Sequence, residues 1–230
     1  MGLILSHKSA HGTLSASFDS FPAVCQRNID YKGGNMSVKV KGSLLVDYAR
    51  LIRANKETDW KRWLGAEELE IISKQVLTAS WYSYHTFRKL AWACFQGVAG
   101  GDLDLSKTFG RFMMKNLLQV YQTVLVPNNP LASFEKFGKF WQNFFKGEGM
   151  ECTLVSSAEK SATYKITAPS DEKVMDKVDA FSDNFLDSVA AFAHQMGGML
   201  MELVEQAGGQ SPESGVASEG LVQYITVRWK

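Results

Sequence analysis

The sequence predicts an α+β protein, with helices packed on a small antiparallel sheet, and three observations predict it. Residues 129–146 repeat apolar side chains at helical spacing, residues 150–167 alternate apolar and polar with a period of two, and a long helical segment followed by a β-branched strand closes the chain. The expected order is therefore helices, hairpin, helix, strand.

Residues 1–36 are rich in Ser, Gly and His, carry no sustained periodicity and are expected to be loose. Lys32-Gly33-Gly34 can be encoded by a purine-rich stretch resembling a bacterial ribosome-binding site, just upstream of Met36, so Met36 is the expected start and the preceding residues a mis-called extension. One domain is expected over 37–230, with a helical cluster at 37–79 and the ligand-domain-like part at 80–230. SVKVKG reads as a short strand, Leu44 to Ala54 as a helix, and Thr58 can cap a short helix bearing Trp60, Trp63 and Leu64. A helix at 66–77 follows, then one in which Phe87, Leu90, Ala91, Cys94, Phe95 and Val98 recur at three and four until Gly100-Gly101. Asp102 or Asp104 caps the next, whose inward face reads as Leu105, Phe109, Phe112, Met113, Asn116, Val120 and Tyr121 and which runs to about residue 126.

The helix at 129–146 carries Leu131, Phe134, Phe137, Phe140, Trp141, Phe144 and Phe145 on one half of its surface and Glu135, Lys136, Lys139, Gln142 and Lys146 on the other. Asn129 is a competent N-cap, Pro130 suits the first helical position, and Gly147 supplies a left-handed stop. Sheltering six aromatic rings contributes on the order of 10 kcal/mol, comparable to the net stability of a domain, so this face must be covered. In the hairpin, Met150, Cys152 and Leu154 alternate with polar residues, as do Ala162, Tyr164 and Ile166. The long helix at 181–205 turns Phe185, Val189, Phe192, Met196, Met199, Leu200 and Leu203 inward. Gly197-Gly198 inside it costs roughly 1 kcal/mol per residue relative to Ala, which implies a kink or the close approach of another backbone. GGQSPESGVASEG reads as a flexible loop, and LVQYITVRW as a final strand.

Composition narrows the function. Lys and Arg number 25 against 24 Asp and Glu, and no basic stripe tracks a phosphate backbone, so nucleic acid is not an expected partner. Three cysteines in separate contexts read as free thiols of a cytoplasmic protein, and no apolar run reaches the roughly 18 residues of a membrane span. Histidines 7, 11, 85 and 194 stand at no metal-ligand spacing, and no phosphate-binding loop, dinucleotide fingerprint or nucleophile elbow occurs. His194 lies away from the Phe192 and Met196 stripe and is expected at the surface, while His85 at a helix start reads as a packing or capping residue. No catalytic residue and no metal ligand is predicted.

Residues 40–169, through VKGSLLVDYARLI, LTASWYSYHTFRKL, GGDLDLSKTFGRFMMKNLLQVY and FWQNFFKGEGMEC, resemble an uncharacterised family of paralogous proteins of myxobacteria and their relatives. The continuation, AAFAHQMGGMLMELVEQAGG and then YITVRW, is similar in layout to a wider superfamily. That superfamily comprises vinyl-reductase-type ligand domains, heme nitric-oxide-binding domains and core subunits of the transport protein particle. The resemblance implies helices on an antiparallel sheet around an apolar cavity, which holds heme in some branches and an acyl chain in others. In the heme-binding branch a proximal histidine precedes the hairpin, whereas no histidine occurs here between 86 and 193. The propionate clamp Tyr-x-Ser-x-Arg is matched at Tyr164 alone, with Ile166 and Ala168 in the Ser and Arg places. The cysteines of the vinyl-reductase branch are missing from 153–230. No cofactor is therefore expected, heme included.

The expected function is that of a non-catalytic sensory or binding module. Its partners would be a hydrophobic small molecule, a signalling protein or a second copy of the chain. The alternatives are peripheral membrane attachment through the 130–146 helix and an enzyme with an unrecognised site. The residues expected to line a cavity are Phe112, Phe137, Trp141, Phe192 and Met196, with Trp81 and Tyr84 near its mouth.

Overall fold

Three of the helices begin where a side chain satisfies their first free N–H groups. A computed structural model describes residues 38–147, 150–169 and 184–230. The expectations for residues 1–36, including the start at Met36, and for the first turn of the long helix lie outside them. Six α-helices occur among the described residues: α1 (Val46–Ala54), α2 (Ala66–Ser73), α3 (Tyr84–Gly97), α4 (Leu103–Val120), α5 (Pro130–Trp141) and α6 (Phe185–Gln206). Ser83 Oγ accepts from Thr86 N to start α3, the Asp102 carboxylate from the amides of residues 104 and 105 to start α4, and Asn129 from Ala132 N to start α5.

Four strands, β4 (Glu151–Ala158), β5 (Ser161–Thr167), β6 (Glu213–Glu219) and β7 (Val222–Arg228), form an antiparallel sheet in the order β4-β5-β7-β6. Tyr164 and Ile166 on β5 and Ile225 and Val227 on β7 share its buried face, over which α6 and α5 pack. A second small sheet joins β1 (Lys39–Lys41) to β2 (Trp81–Ser83) and β3 (Phe145–Lys146). The α+β class and the hairpin at 150–167 agree with the sequence reading.

Several expectations change in physically informative ways. The stretch read as a flexible loop contains β6, which pairs with β7 along its whole length. Its small and polar side chains leave no hydropathy signal because it is an edge strand held by main-chain hydrogen bonds. Residue 60 begins only a single 3-10 turn. Helix α2 ends at Ser73, not at 77, because Arg53 satisfies its last carbonyls: Nε donates to Ile72 O at 2.7 Å and Nη2 to Lys74 O at 2.6 Å. Helix α4 stops at Val120, where Tyr121 leaves helical geometry, and the aromatic helix passes after Trp141 into a 3-10 turn and then β3.

The aromatic face of α5 is internal. Phe134 stacks between Tyr164 at 5.6 Å and Trp229 at 5.8 Å, and Phe137 lies 5.4 Å from Trp141. Phe134, Phe137, Trp141 and Phe144 are all buried while Glu135, Lys136 and Lys139 face water. Membrane attachment through this helix is thereby corrected: its rings are committed to the core and only its charged side is free.

The largest change concerns α4. Its buried residues are Ser106, Gly110, Met113, Met114, Leu117 and Leu118, whereas Leu105, Phe112 and Val120, expected inside, are exposed. Small residues cause this rotation. A Cβ on Gly110 would lie 1.9 Å from Gln195 O, and one on Gly198 would lie 1.9 Å from Lys107 O, so α4 and α6 touch backbone to backbone. The close approach anticipated at Gly197-Gly198 is real, and it draws the small face of α4 inward while its bulky residues swing out.

Candidate functional site

With α4 rotated in this way, Leu105, Phe109 and Phe112 stand clear of α6 and lean toward α3, and a cavity of about 390 Å³ opens between the two helices. Leu51 from α1, Ala91 and Phe95 from α3 and Val98 just past its end complete the apolar wall. Ala91 contributes a gap where a larger side chain would fill space. Phe112 and Leu105, 53% and 51% exposed, form the rim on the solvent side.

The polar groups of the lining are few and engaged. Gln195 from α6 donates through Nε2 to Tyr48 Oη at 2.7 Å, Ser106 Oγ to Ala191 O at 3.3 Å, and Cys94 Sγ to Tyr48 O at 3.9 Å. Burial pushes the Cys94 thiol far up, so it stays protonated rather than becoming a nucleophile or a metal-binding thiolate. Burial likewise pushes up the Tyr48 phenol, with the Gln195 hydrogen bond opposing it. The chemistry of this lining is binding: greasy walls with neutral donors and acceptors at the floor.

Of the seven residues read from the sequence as cavity-lining, Phe112 lines this cavity. Phe137 and Trp141 lie across the core in the α5 aromatic cluster, and Met196 is fully buried. Phe192 packs edge-on against Phe87 at 5.5 Å, one turn of α6 before Gln195. Tyr84 is buried at the start of α3, 6.1 Å from Phe87, and Trp81 lies on β2 with Lys146 Nζ 4.2 Å from its ring centre. The structure therefore brings together Phe112, Phe109, Ala91 and Gln195, and leaves Trp81, Phe137 and Trp141 elsewhere. Gln195 and Ser106 escaped the sequence reading, although a signal existed for the first: Gln195, like Ser188 and Glu202, is a polar residue on the largely apolar buried side of α6.

His194 is half-buried, not at the surface, because α6 carries it against the first turn of α4 beside Asp104 and Lys107. Desolvation, and then the Lys107 charge, pull its pKa below the usual 6.5, with Asp104 opposing. A histidine whose folded pKa is depressed must take up a proton on unfolding at mildly acidic pH. Stability is accordingly expected to fall as pH drops below about 6.5 toward the folded pKa. The unfolding free energy of H194Q is expected to depend less on pH across that window; urea denaturation series at stepped pH check this. Among the described residues no group of three or more His, Cys, Asp or Glu side chains is placed to hold a metal ion.

Comparison with solved structures identifies the fold as that of H-NOX (heme–NO-binding) domains. A variant of the Fe(II) unliganded H-NOX protein from K. algicida superposes with a TM-score of 0.52 at 14% identity, covering 83% of this chain and 96% of that one. An H-NOX structure that probes the function of heme distortion in the family gives 0.53 at 9% identity, covering 83% and 94%. An oxygen-binding H-NOX domain related to soluble guanylate cyclases gives 0.51 at 9%, covering 83% and 95%. At these identities the likeness establishes the architecture. No protein-family model matches the sequence, and no curated protein matches it.

The expectation that no cofactor is held is corrected by these matches. The structures named are H-NOX domains, described by their Fe(II), their heme or their bound oxygen, so heme is a plausible ligand of this fold. This chain differs at the positions where the resemblance places heme contacts. The buried residues of α5 are Ser133, Phe134, Phe137, Gly138 and Trp141, without an imidazole, and the Tyr164 hydroxyl is spent on Phe134 O. Ile166 and Ala168 are buried as apolar filling. The heme contacts that the resemblance implies are thus not reproduced by these residues.

Proposed function

We propose that the chain is a non-catalytic sensory or binding module that holds a small apolar molecule in the α3–α4 cavity and signals its occupancy to a protein partner or a second copy of itself. The supporting observation is the cavity: about 390 Å³ of largely apolar space, within the range of small-molecule sites, floored by Gln195, Ser106 and Cys94. Phe112, Phe109 and Ala91 are its contact residues. Helix α4 supports the signalling role. It carries the cavity wall on one side and meets α6 backbone to backbone on the other, so a molecule that pushes α4 meets a contact with no slack. We place this module in the cytoplasm, as a single domain over 37–230; among the described residues no helix is long and apolar enough to cross a membrane.

Native mass spectrometry and absorption spectroscopy of freshly purified protein test the proposal. Retention of a small-molecule mass is expected, and a Soret band would identify that molecule as heme. A91F, which fills the cavity, is expected to lose the retained mass while keeping its far-ultraviolet circular dichroism. An empty wild-type protein, or an A91F protein that retains the same mass, would sink the assignment.

A further inference from the structure

Arg88 lies in the second turn of α3 with 1% of its surface exposed. Its Nη2 donates to Ser188 Oγ at 2.9 Å, and the flat guanidinium rests on the Phe192 ring, 4.8 Å from its centre. Nε and Nη1 have no acceptor, and among the described residues no carboxylate forms an ion pair with this side chain. Its polar electrostatic neighbours are the phenols of Tyr84 and Tyr48, both held neutral by burial. Arginine does not discard its proton to escape such a place. Buried charges are ordinarily paired, so a fully enclosed guanidinium with two idle nitrogens is a cation lacking its anion among the described residues.

The position of that cation relative to the cavity defines the anion. Arg88 precedes Ala91 by one turn and Phe95 by two on the same side of α3, as Ser188 and Phe192 precede Gln195 on α6. At a rise of about 1.5 Å per residue, the guanidinium's helix position is roughly 5 Å beyond the inner wall at Ala91. An apolar slot opening to solvent at Phe112 and ending one helical turn short of a buried guanidinium matches a molecule with a greasy body and a negatively charged planar head.

We infer that the ligand is an amphipathic monocarboxylate, its chain in the α3–α4 cavity and its head paired with Arg88. This rests on the cavity being a binding site and adds the class of molecule it takes. The guanidinium supplies the planar fork to which a carboxylate binds through two parallel hydrogen bonds, and Ser188 and Phe192 hold that fork in place.

Titration calorimetry of the full chain with decanoate and with decanol separates head from tail, since the two share a ten-carbon chain. Decanoate is expected to bind roughly tenfold or more tightly than decanol, as a charge-assisted pair implies. R88M, which conserves apolar volume, is expected to bring the two affinities together. R88K keeps the charge without the fork and is expected to reduce the preference severalfold, which keeps the test informative should R88M fold poorly. Equal affinity of the wild type for both molecules would overturn the Arg88 assignment and leave the cavity standing. Binding of neither would overturn both, and an undiminished preference in R88M and R88K would overturn the assignment as well.

Discussion

A G198A protein is expected to unfold at a clearly lower urea concentration than the wild type, corresponding to a loss of about 3 kcal/mol. Two effects oppose each other. Replacing a mid-helix glycine by alanine favours the helix by about 1 kcal/mol. The added methyl, however, would sit 1.9 Å from Lys107 O, about half the distance of ordinary contact, and that atom belongs to a helix backbone that cannot swing aside. Helices α4 and α6 would have to separate by more than an ångström, loosening every contact along their interface. The steric cost wins. G110A, with its methyl 1.9 Å from Gln195 O, is expected to behave alike, and G215A, on an exposed strand with nothing within 4 Å, to be neutral or slightly stabilising. Urea midpoints of the three variants decide the matter. A G198A midpoint at or above the wild-type value would mean that the helices do not meet as described.

F137A is expected to lose about 3–5 kcal/mol, the usual result of emptying an aromatic site in a packed core. Phe137 is fully buried and has Trp141 on one side and Tyr164 edge-on at 6.2 Å on the other, so no neighbour is placed to collapse into the space. F112A is expected to change stability by less than about 1 kcal/mol, because that ring is half in water already. The ligand should respond in the opposite order: F112A removes a wall of the cavity and lowers retention of the bound mass, whereas F137A lies across the core from it. Chemical denaturation paired with native mass spectrometry measures both properties on the same samples. Equal stability losses would contradict the separation of core from cavity.

That contrast also marks how far the sequence could be read. The period of two in β4 and β5, and the rings of α5 with their Asn129 cap, declared their own structures because each depends on residues close in the chain. The inward stripe of α6 was equally legible, since every one of its seven predicted members is buried. For α4 the same reasoning misplaced the buried face. Hydropathy ranks Leu105 and Phe112 above Ser106 and Gly110, but two helices approach most closely where side chains are smallest, and that choice belongs to the pair. The cavity follows from this rotation, so of the residues named in advance Phe112 alone lines it. Gln195 and Arg88 left faint traces as polar residues on apolar stripes, without showing what faces them.

The sequence by itself determined the α+β class, the hairpin, the long helix and the need to bury the α5 aromatics, because local periodicity and end-capping are properties of one segment at a time. Only the tertiary structure decided the rotation of α4 on α6, the pairing of the polar edge strand β6 and the isolation of the Arg88 charge. Each of these depends on which distant backbone or side chain arrives opposite, and no single segment encodes its own neighbour.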